Sequence, residues 1–424
     1  MLRGKDLMPQ IKLIKMENVL LFDTYSNRLS LYPFTDTRTI ASLRVGITTI
    51  MEKWQDLWQD HAVAFSTITE PYLAAKFPSI VAEQNLCVNA SFLPTPNAIQ
   101  AITNLVPGQC LLYRNKLLAF RPQHPRELTI DFCSKYAVEG NTTEYAAEEL
   151  IQIQHKWDLW RYHAAAMATD LQRIQNQRQS QPIADHHTIC YHPEHIFVEA
   201  GATIKAAMLN AEKGPIYIGK NAIVEEQAVL KGPVVIAEGA QVNVGSYVYD
   251  NTSIGPYSKV GGEVSNSILF EYSNKAHAGF MGHSVIGEWC NIGGNATISN
   301  LRNDYNPSTV WDEITQTFVK TDQQFCGLFL GAYSKCGICT NFNTGTVIGI
   351  GANLFGTGYM KRYLPAFTKG SPPHNFVMHD LDDLLVSIAN TMKRRNQALT
   401  PVDEAIVSEL YDYYASHGAS PSLL

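Results

Sequence analysis

From Ile218 onward the chain places an aliphatic residue at every sixth position: Ile218, Val224, Leu230, Ile236, Val242, Val248, Ile254 and Val260. Small residues recur four places later, at Ala222, Ala228, Ala240, Ser246, Thr252 and Ser258. Val198 and Ile204 carry the frame upstream of an interruption over 210–215; it resumes at Ile286, Ile292 and Ile298, and again at Leu330, Cys336, Phe342, Ile348 and Leu354. A helix would show a period near 3.6 and a lone strand near 2. A period of six suits a parallel β-helix of triangular section, each flat side sending one aliphatic inward and each corner needing a compact residue. Chance spacing in an irregular β-sandwich is the competing reading.

Elsewhere the pattern changes. Residues 301–328 break the period for too long to be a corner and predict a loop projecting from the β-helix, the kind that reaches a neighbouring subunit or covers a site. Leu381, Leu384, Leu385, Ile388 and Met392 recur at helical spacing, and Thr400-Pro401 opens a second helix with Asp403 and Glu404 at its positive end. Residues 17–135 mix short apolar runs (Val19–Phe22, 62–65, Leu117–Phe120) with helical stretches around Val45–Trp58 and Ala98–Leu105, an α/β pattern. Residues 142–178 read as mainly helical. The expected division is an extension over 1–16, an α/β domain over 17–140, a helical connector over 141–185, the β-helix over 186–370 with its projecting loop at 301–328, and C-terminal helices over 371–424, which cap or trimerise the β-helix or simply pack on it. Trp54, Trp58, Trp157 and Trp160 read as packing residues.

Composition narrows the function classes. With 39 acidic and 33 basic side chains among 424 residues, the chain lacks the positive excess that binds a phosphate backbone, so nucleic acid is excluded as a partner. No stretch approaches about 18 uninterrupted apolar residues, which argues against a membrane span. Eight scattered cysteines form no disulfide framework, and the N-terminus lacks a signal-peptide pattern, so a reduced, cytoplasmic protein is expected. Cys336-x-x-Cys339 has no second pair at zinc spacing and reads as a buried thiol; His186, His187, His192 and His195 read as a solvated entry to the β-helix, with metal binding the alternative.

The β-helix portion, roughly 196–358, resembles the hexapeptide-repeat, left-handed β-helix family. The segment 18–47, NVLLFDTYSNRLSLYPFTDTRTIASLRVGI, is similar to the opening of an atypical bacterial sugar nucleotidyltransferase family: a strand ending in Phe22-Asp23, then Arg28, a Pro33-Phe34-Thr35 step, and Arg44 before Val45-Gly46. VNASFLPTP (88–96) and PGQCLLYRNKLLAF (107–120) fit the same family. Together the chain resembles the bifunctional N-acetylglucosamine-1-phosphate uridylyltransferase/glucosamine-1-phosphate N-acetyltransferase type. That resemblance implies a Rossmann-like nucleotidyltransferase-like α/β domain followed by a left-handed parallel β-helix, a homotrimer, sugar phosphate and nucleotide as small-molecule partners, acetyl-CoA as co-substrate, and Mg2+ for nucleotidyl transfer. Nucleotidyl transfer needs amides to cradle a triphosphate, cations to offset developing charge, and carboxylate-held magnesium. Arg28 and Arg44 would be the cations, but no glycine-rich loop follows Phe22 and Ser91 stands where the magnesium-binding Asp is expected, which leaves the metal open.

In the acetyltransferase half the resemblance rests on SNKAHAGFMGHSVIGEWCNIGGNATISN (273–300), where Ser273, His277, Phe280, Gly282, Asn291, Ile292, Gly293, Thr297 and Asn300 fall at the family's spacing. It implies His277 as the base that takes the proton of the attacking amine, chemistry suited to an imidazole titrating near neutrality. Asn291, Asn300, Phe280 and His283 would bind the acceptor. Phe280 replaces a Tyr, His283 replaces an Asp, and Ser265 and Gly255 stand where a Lys and an Arg would grip a sugar phosphate, so Lys259, Lys275 or Arg302 must substitute or the acceptor differs. A structural histidine at a corner is the alternative for His277, and asparagine-ladder packing for Asn291 and Asn300. For the whole chain the alternatives are nucleotidyl transfer alone, or a sugar-nucleotide-binding protein whose β-helix is an oligomerisation scaffold.

Overall fold

A computed structural model describes residues 18–58, 63–123, 128–136, 141–373 and 375–417; the expected extension over 1–16 lies outside them. The N-terminal region is built on a six-stranded sheet of β1 (Asn18–Phe22), β2 (Ala64–Ile68), β3 (Asn85–Asn89), β4 (Gln109–Tyr113), β5 (Lys116–Phe120) and β6 (Asn141–Glu144), in the order β2-β1-β3-β5-β4-β6. β1 runs parallel to β2 and β3, β5 is antiparallel to β3 and β4, and β6 is parallel to β4. β1 is buried along its whole length, which is why it reads as a continuous apolar run. Helices α1 (Tyr25–Ser30), α2 (Ile50–Leu57), α3 (Pro96–Thr103) and α4 (Ile130–Lys135) intervene. Thr49 and Glu52 close a capping box on α2, and Thr95 caps α3 with Pro96 in its first turn.

The predicted helix over 142–178 begins later than expected. β6 joins the sheet, and Leu93 N–H donates to Ile151 O while Ile153 N–H donates to Ser91 O, so residues 141–157 form a strand and then irregular chain bridged to the sheet domain. Those tertiary partners override local helix propensity. Helix starts at α5 (Asp158–Arg161) and α6 (His163–Gln177).

From Ile189 the chain winds through three stacked sheets, the left-handed β-helix, with eight, nine and ten strands, all parallel but for the last strand of the third. Ile216, Val234 and Thr252 stack rung on rung, as do Val224, Val242 and Val260. The inward aliphatics are buried. Corners are turned by left-handed residues, Asn221, Gln227, Asn251, Tyr257 and Asn266 among them. Ser258 Oγ donates to Phe270 O and accepts from Ser273 N–H, and Ser273 Oγ does the same toward Gly287 O and Cys290 N–H, so corner serines link successive coils.

The lapse of the six-residue frame between 261 and 285 is a change of corner length, with no break in the coil. Val264 stacks on Val248, Leu269 on Ile254, Lys275 on Val260 and Met281 on Val264. A lysine therefore occupies an inward position.

The projecting loop at 301–328 contains an antiparallel hairpin, Thr309–Asp312 with Thr317–Lys320. It lies against its own chain: Lys156 Nζ donates to Trp311 O at 2.8 Å, and the Trp311 ring stacks on Tyr363 at 4.1 Å. The region expected to be wholly helical after 371 first forms a second hairpin, Thr368–Ser371 with Asn375–Met378, because the third sheet still offers an edge to pair. Then come α7 (Leu381–Lys393) and α8 (Pro401–Ser416). α7 covers part of the third sheet through Lys335, whose Nζ donates to Ser387 and Thr391. α8 reaches the N-terminal domain through Lys76–Asp403 (2.8 Å) and Tyr414–Asp36 (3.0 Å).

A second seam joins the domains directly. Phe34 packs edge-on against Phe270, and Arg38 pairs with Glu288 at 2.8 Å and Glu271 at 3.1 Å. Although burial opposes charge there, Arg38 and Arg44 hold Glu271 down at about 2. No described helix is long and apolar enough to cross a membrane.

Candidate functional site

His277 stands at the corner between the strands Asn274–Lys275 of the third sheet and Phe280–Gly282 of the first. It is exposed, and its ring makes no hydrogen bond among the described residues. The ring lies over Gly294, where an added Cβ would come within 3.4 Å of the His277 Cβ. The corner backbone is held from inside: Lys275, 1% exposed, donates to Gly261 O at 2.9 Å and to His277 O at 2.8 Å. Burial pushes the Lys275 ammonium down to about 8. Lys275 thus points into the β-helix and is unavailable to a sugar phosphate outside. Arg302 is held by Asp304 in a two-pronged pair. Of the proposed replacement cations, Lys259 alone faces outward without such a partner.

The other acceptor-binding candidates are strung along the coil. Asn291 lies on the outer face of the third sheet and accepts from Asn274 Nδ2 at 2.9 Å, so one step of an asparagine ladder is present. Phe280 covers Gly282, with Asn300 close by: a Cβ on Gly282 would meet Phe280 Cζ at 2.8 Å and Asn300 Nδ2 at 2.4 Å. Asn300 is hydrogen-bonded to His283 Nδ1 at 3.0 Å. His283 stacks on Phe325 and meets Trp160 edge-on, and burial pushes its imidazole down to about 4, so it is neutral at pH 7. Within one chain His277 and Asn291 lie toward one end of this coil, with His283 and Asn300 beyond the next strand. They do not converge on a single cavity.

In the N-terminal domain the two expected phosphate cations are internal. Arg28, 6% exposed, pairs with Asp23 at 2.8 Å and donates to Arg38 O, Thr35 O, Thr69 and Tyr72. Arg44, 8% exposed, donates to Ile47 O near the seam with the β-helix. Each is engaged by its own surroundings, Arg28 by the glycine-free loop after Phe22 and Arg44 by the turn at Ile47. Ser91 is buried, donating to Asn89 Oδ1 at 2.8 Å and accepting from Gln152 Nε2 at 3.0 Å. That neutral trio does not suit Mg2+, which wants carboxylate oxygens.

A cavity of about 420 Å3 beside Arg28 has no signature along the chain, since it needs the hairpin and α8 to close it. Its charged lining is Arg28 against four acids, Asp36, Glu70, Glu313 and Glu409. Burial raises the Asp36 carboxyl to about 7, against a hydrogen bond from Tyr414. This lining repels a triphosphate more than it attracts one. Among the described residues, one group of three ligand atoms lies close enough to share an ion, the exposed His192, Glu194 and His195. Cys336 is buried and inward while Cys339 is exposed; both are free thiols.

Residues 19–179 match the sugar nucleotidyl transferase family. A bifunctional protein GlmU of Methanococcus aeolicus is 34% identical over 164 residues, 32% of this chain and 37% of that protein. A bifunctional sugar-1-phosphate nucleotidylyltransferase/acetyltransferase of Sulfurisphaera tokodaii is 28% identical over 152 residues, 31% of this chain and 37% of that protein. The matched stretch spans little more than a third of each relative's length, and both relatives are archaeal where the sequence resemblance pointed to bacteria. Among solved structures, the UDP-N-acetylglucosamine O-acyltransferase (LpxA) of Moraxella catarrhalis aligns over 55% of this chain and 95% of that one, at 13% identity and a TM-score of 0.23.

Proposed function

We propose that this chain is a transferase of sugar-1-phosphate metabolism, of the nucleotidyltransferase/acetyltransferase kind, in which the β-helix transfers an acetyl group from acetyl-CoA to an amino sugar. The observation that carries it is His277: an exposed imidazole whose nitrogens have no partner among the described residues, on a corner whose carbonyl is fixed from within by Lys275. The amine would attack the thioester carbonyl, forming the C–N bond; His277 would take the proton lost by nitrogen, and the C–S bond would break to release CoA, which leaves as a thiol after protonation. Because the candidate groups do not converge within one chain, a neighbouring subunit would complete the site, as in a homotrimer. In this reading the protein works in the cytoplasm on soluble sugar phosphates.

The test is thiol release from acetyl-CoA in the presence of glucosamine 1-phosphate. His277→Ala should lower turnover by about a hundredfold or more, the usual contribution of a general base, while leaving acetyl-CoA binding within a few-fold. Turnover unchanged in that variant would remove His277 from the chemistry. A second reading, a sugar-nucleotide-binding front domain on a β-helix scaffold, is favoured by the internal pairing of Arg28 and the neutral surroundings of Ser91. Saturable nucleotide binding without release of pyrophosphate would support it.

A further inference from the structure

Four residues on successive coils of the third sheet share one register: Lys259 pairs with Asn274, Asn274 with Asn291, and Asn291 with Lys335. Rungs are about 4.8 Å apart, so the two lysines stand roughly 14 Å from each other with two amides between them. The C-terminal end of α7 roofs this ladder and adds Arg394 and Arg395. The cleft between them, open on one side, is about 330 Å3, and no carboxylate stands among its described lining residues.

We infer that this cleft is an anion site that takes a phosphate monoester or diphosphate group. A chain with an overall net charge of -6 has gathered four cations around one small cavity without pairing them to acids. The Arg394 and Arg395 side chains form no ion pair or hydrogen bond among the described residues, and each repels Lys259. Among the described residues Glu225 is the acid that acts on Lys259, and its oxygens are already taken by Gln241 Nε2 and Val244 N–H. Burial and this mutual repulsion depress both Lys259 and Arg395, the condition an anion would relieve.

The negative end of the α7 dipole accounts for basic residues on the helix itself, but not for lysines rising from the opposite wall. Lys335 retains a structural duty, since its ammonium holds Ser387 and Thr391. Lys259, Arg394 and Arg395 have none. Among the described residues Asn291 donates no side-chain hydrogen bond, which leaves its amide N–H2 on the same cleft as a neutral donor. Guanidinium and ammonium groups around a cavity of this size match a phosphate or diphosphate in charge and donor count.

The test is isothermal titration of the full chain with inorganic pyrophosphate at low salt, which needs no turnover and so stands apart from the acyl-transfer reading. Saturable binding is expected, weakened at least tenfold by Lys259→Gln and by Arg395→Gln, and abolished by Asn274→Asp, which sets a carboxylate in the ladder. Lys231→Gln, an exposed lysine on the first sheet, should leave affinity unchanged. Retention of the far-ultraviolet circular dichroism shows that each variant is folded. Displacement of pyrophosphate by CoA but not dephospho-CoA would assign the anion to the 3′-phosphate of that carrier; displacement by both would assign it to the diphosphate, and displacement by glucosamine 1-phosphate to the acceptor. Any of these supports the site. No saturable heat up to about 10 mM pyrophosphate, or equal weakening by Lys231→Gln, overturns it.

Discussion

Lys275 holds the carbonyl of His277 from inside the β-helix, Nζ to O 2.8 Å, two residues away in sequence. Its inward position is one that neighbouring coils fill with Val260 and Ile292. The carbonyls of Gly261, in the short corner after Val260, and of His277, in the corner of the next coil, need donors that an aliphatic side chain cannot supply. A buried ammonium answers both at once.

Lys275→Met keeps the volume and removes the donors. Each carbonyl left unsatisfied costs about 1 to 3 kcal/mol, offset in part by relief of a buried charge, so unfolding free energy should change by less than about 3 kcal/mol. If His277 is the base, turnover should fall about tenfold with KM little changed. The pH dependence is separate: with the folded ammonium lowered to about 8 from 10.5, the lysine's contribution is fully present above pH 10.5 and lost as pH falls through 8. Wild type should gain up to about 3 kcal/mol relative to Lys275→Met between pH 8 and 10.5, read by urea unfolding.

Arg38 joins the domains at Glu271 and Glu288, more than two hundred residues along the chain. Arg38→Ala leaves two partly buried carboxylates without their main partner and should cost about 2 to 4 kcal/mol, less than the loss for a fully dry pair. Chemical denaturation should also become less cooperative as the two domains uncouple; an unchanged midpoint would remove the pair from the seam.

Asp36 meets the hydroxyl of Tyr414 from α8 at 3.0 Å, and burial raises its carboxyl from 3.8 to about 7. A raised folded value means that the contribution is fully present below pH 3.8 and lost as pH rises through 7. Asp36→Asn should therefore stabilise the chain above pH 7, by up to about 4 kcal/mol, with the advantage fading toward pH 4. Thermal melts of both proteins across that range check the crossover.

Gly46 has φ +81°, and a Cβ there would lie 2.7 Å from Asp170 Oδ2 and 2.9 Å from the α6 backbone at Ala166 and Met167. Gly46→Ala would have to push α6 away from a site where Asp170 also pairs with Lys53 and accepts from Ile47 N–H. A loss of about 2 kcal/mol or more is expected, measured as a lower thermal midpoint.

The β-helix was legible because its rule is local: Ile218, Val224, Leu230 and their successors each face inward for a reason contained in six residues. The strands β1 and β5 were legible as apolar runs, and α7 and α8 as helical stripes with their caps. Coil length is different. Between Val260 and Ile286 the frame vanished although the winding continued, because shortened corners change spacing without changing which side chains face in. That alone decided that Lys275 is internal and that Lys259, Asn274, Asn291 and Lys335 form one column. Arg28 was visible as a cation in a family-like segment, but its enclosure by Asp23, Thr69 and Tyr72 depends on how β1, β2 and the following turn meet. Sequence alone determined the repeat, the two-part architecture and the position of His277. Tertiary structure decided which charged groups are paired, buried or free, since that depends on neighbours brought together by coil stacking and domain packing rather than by spacing along the chain.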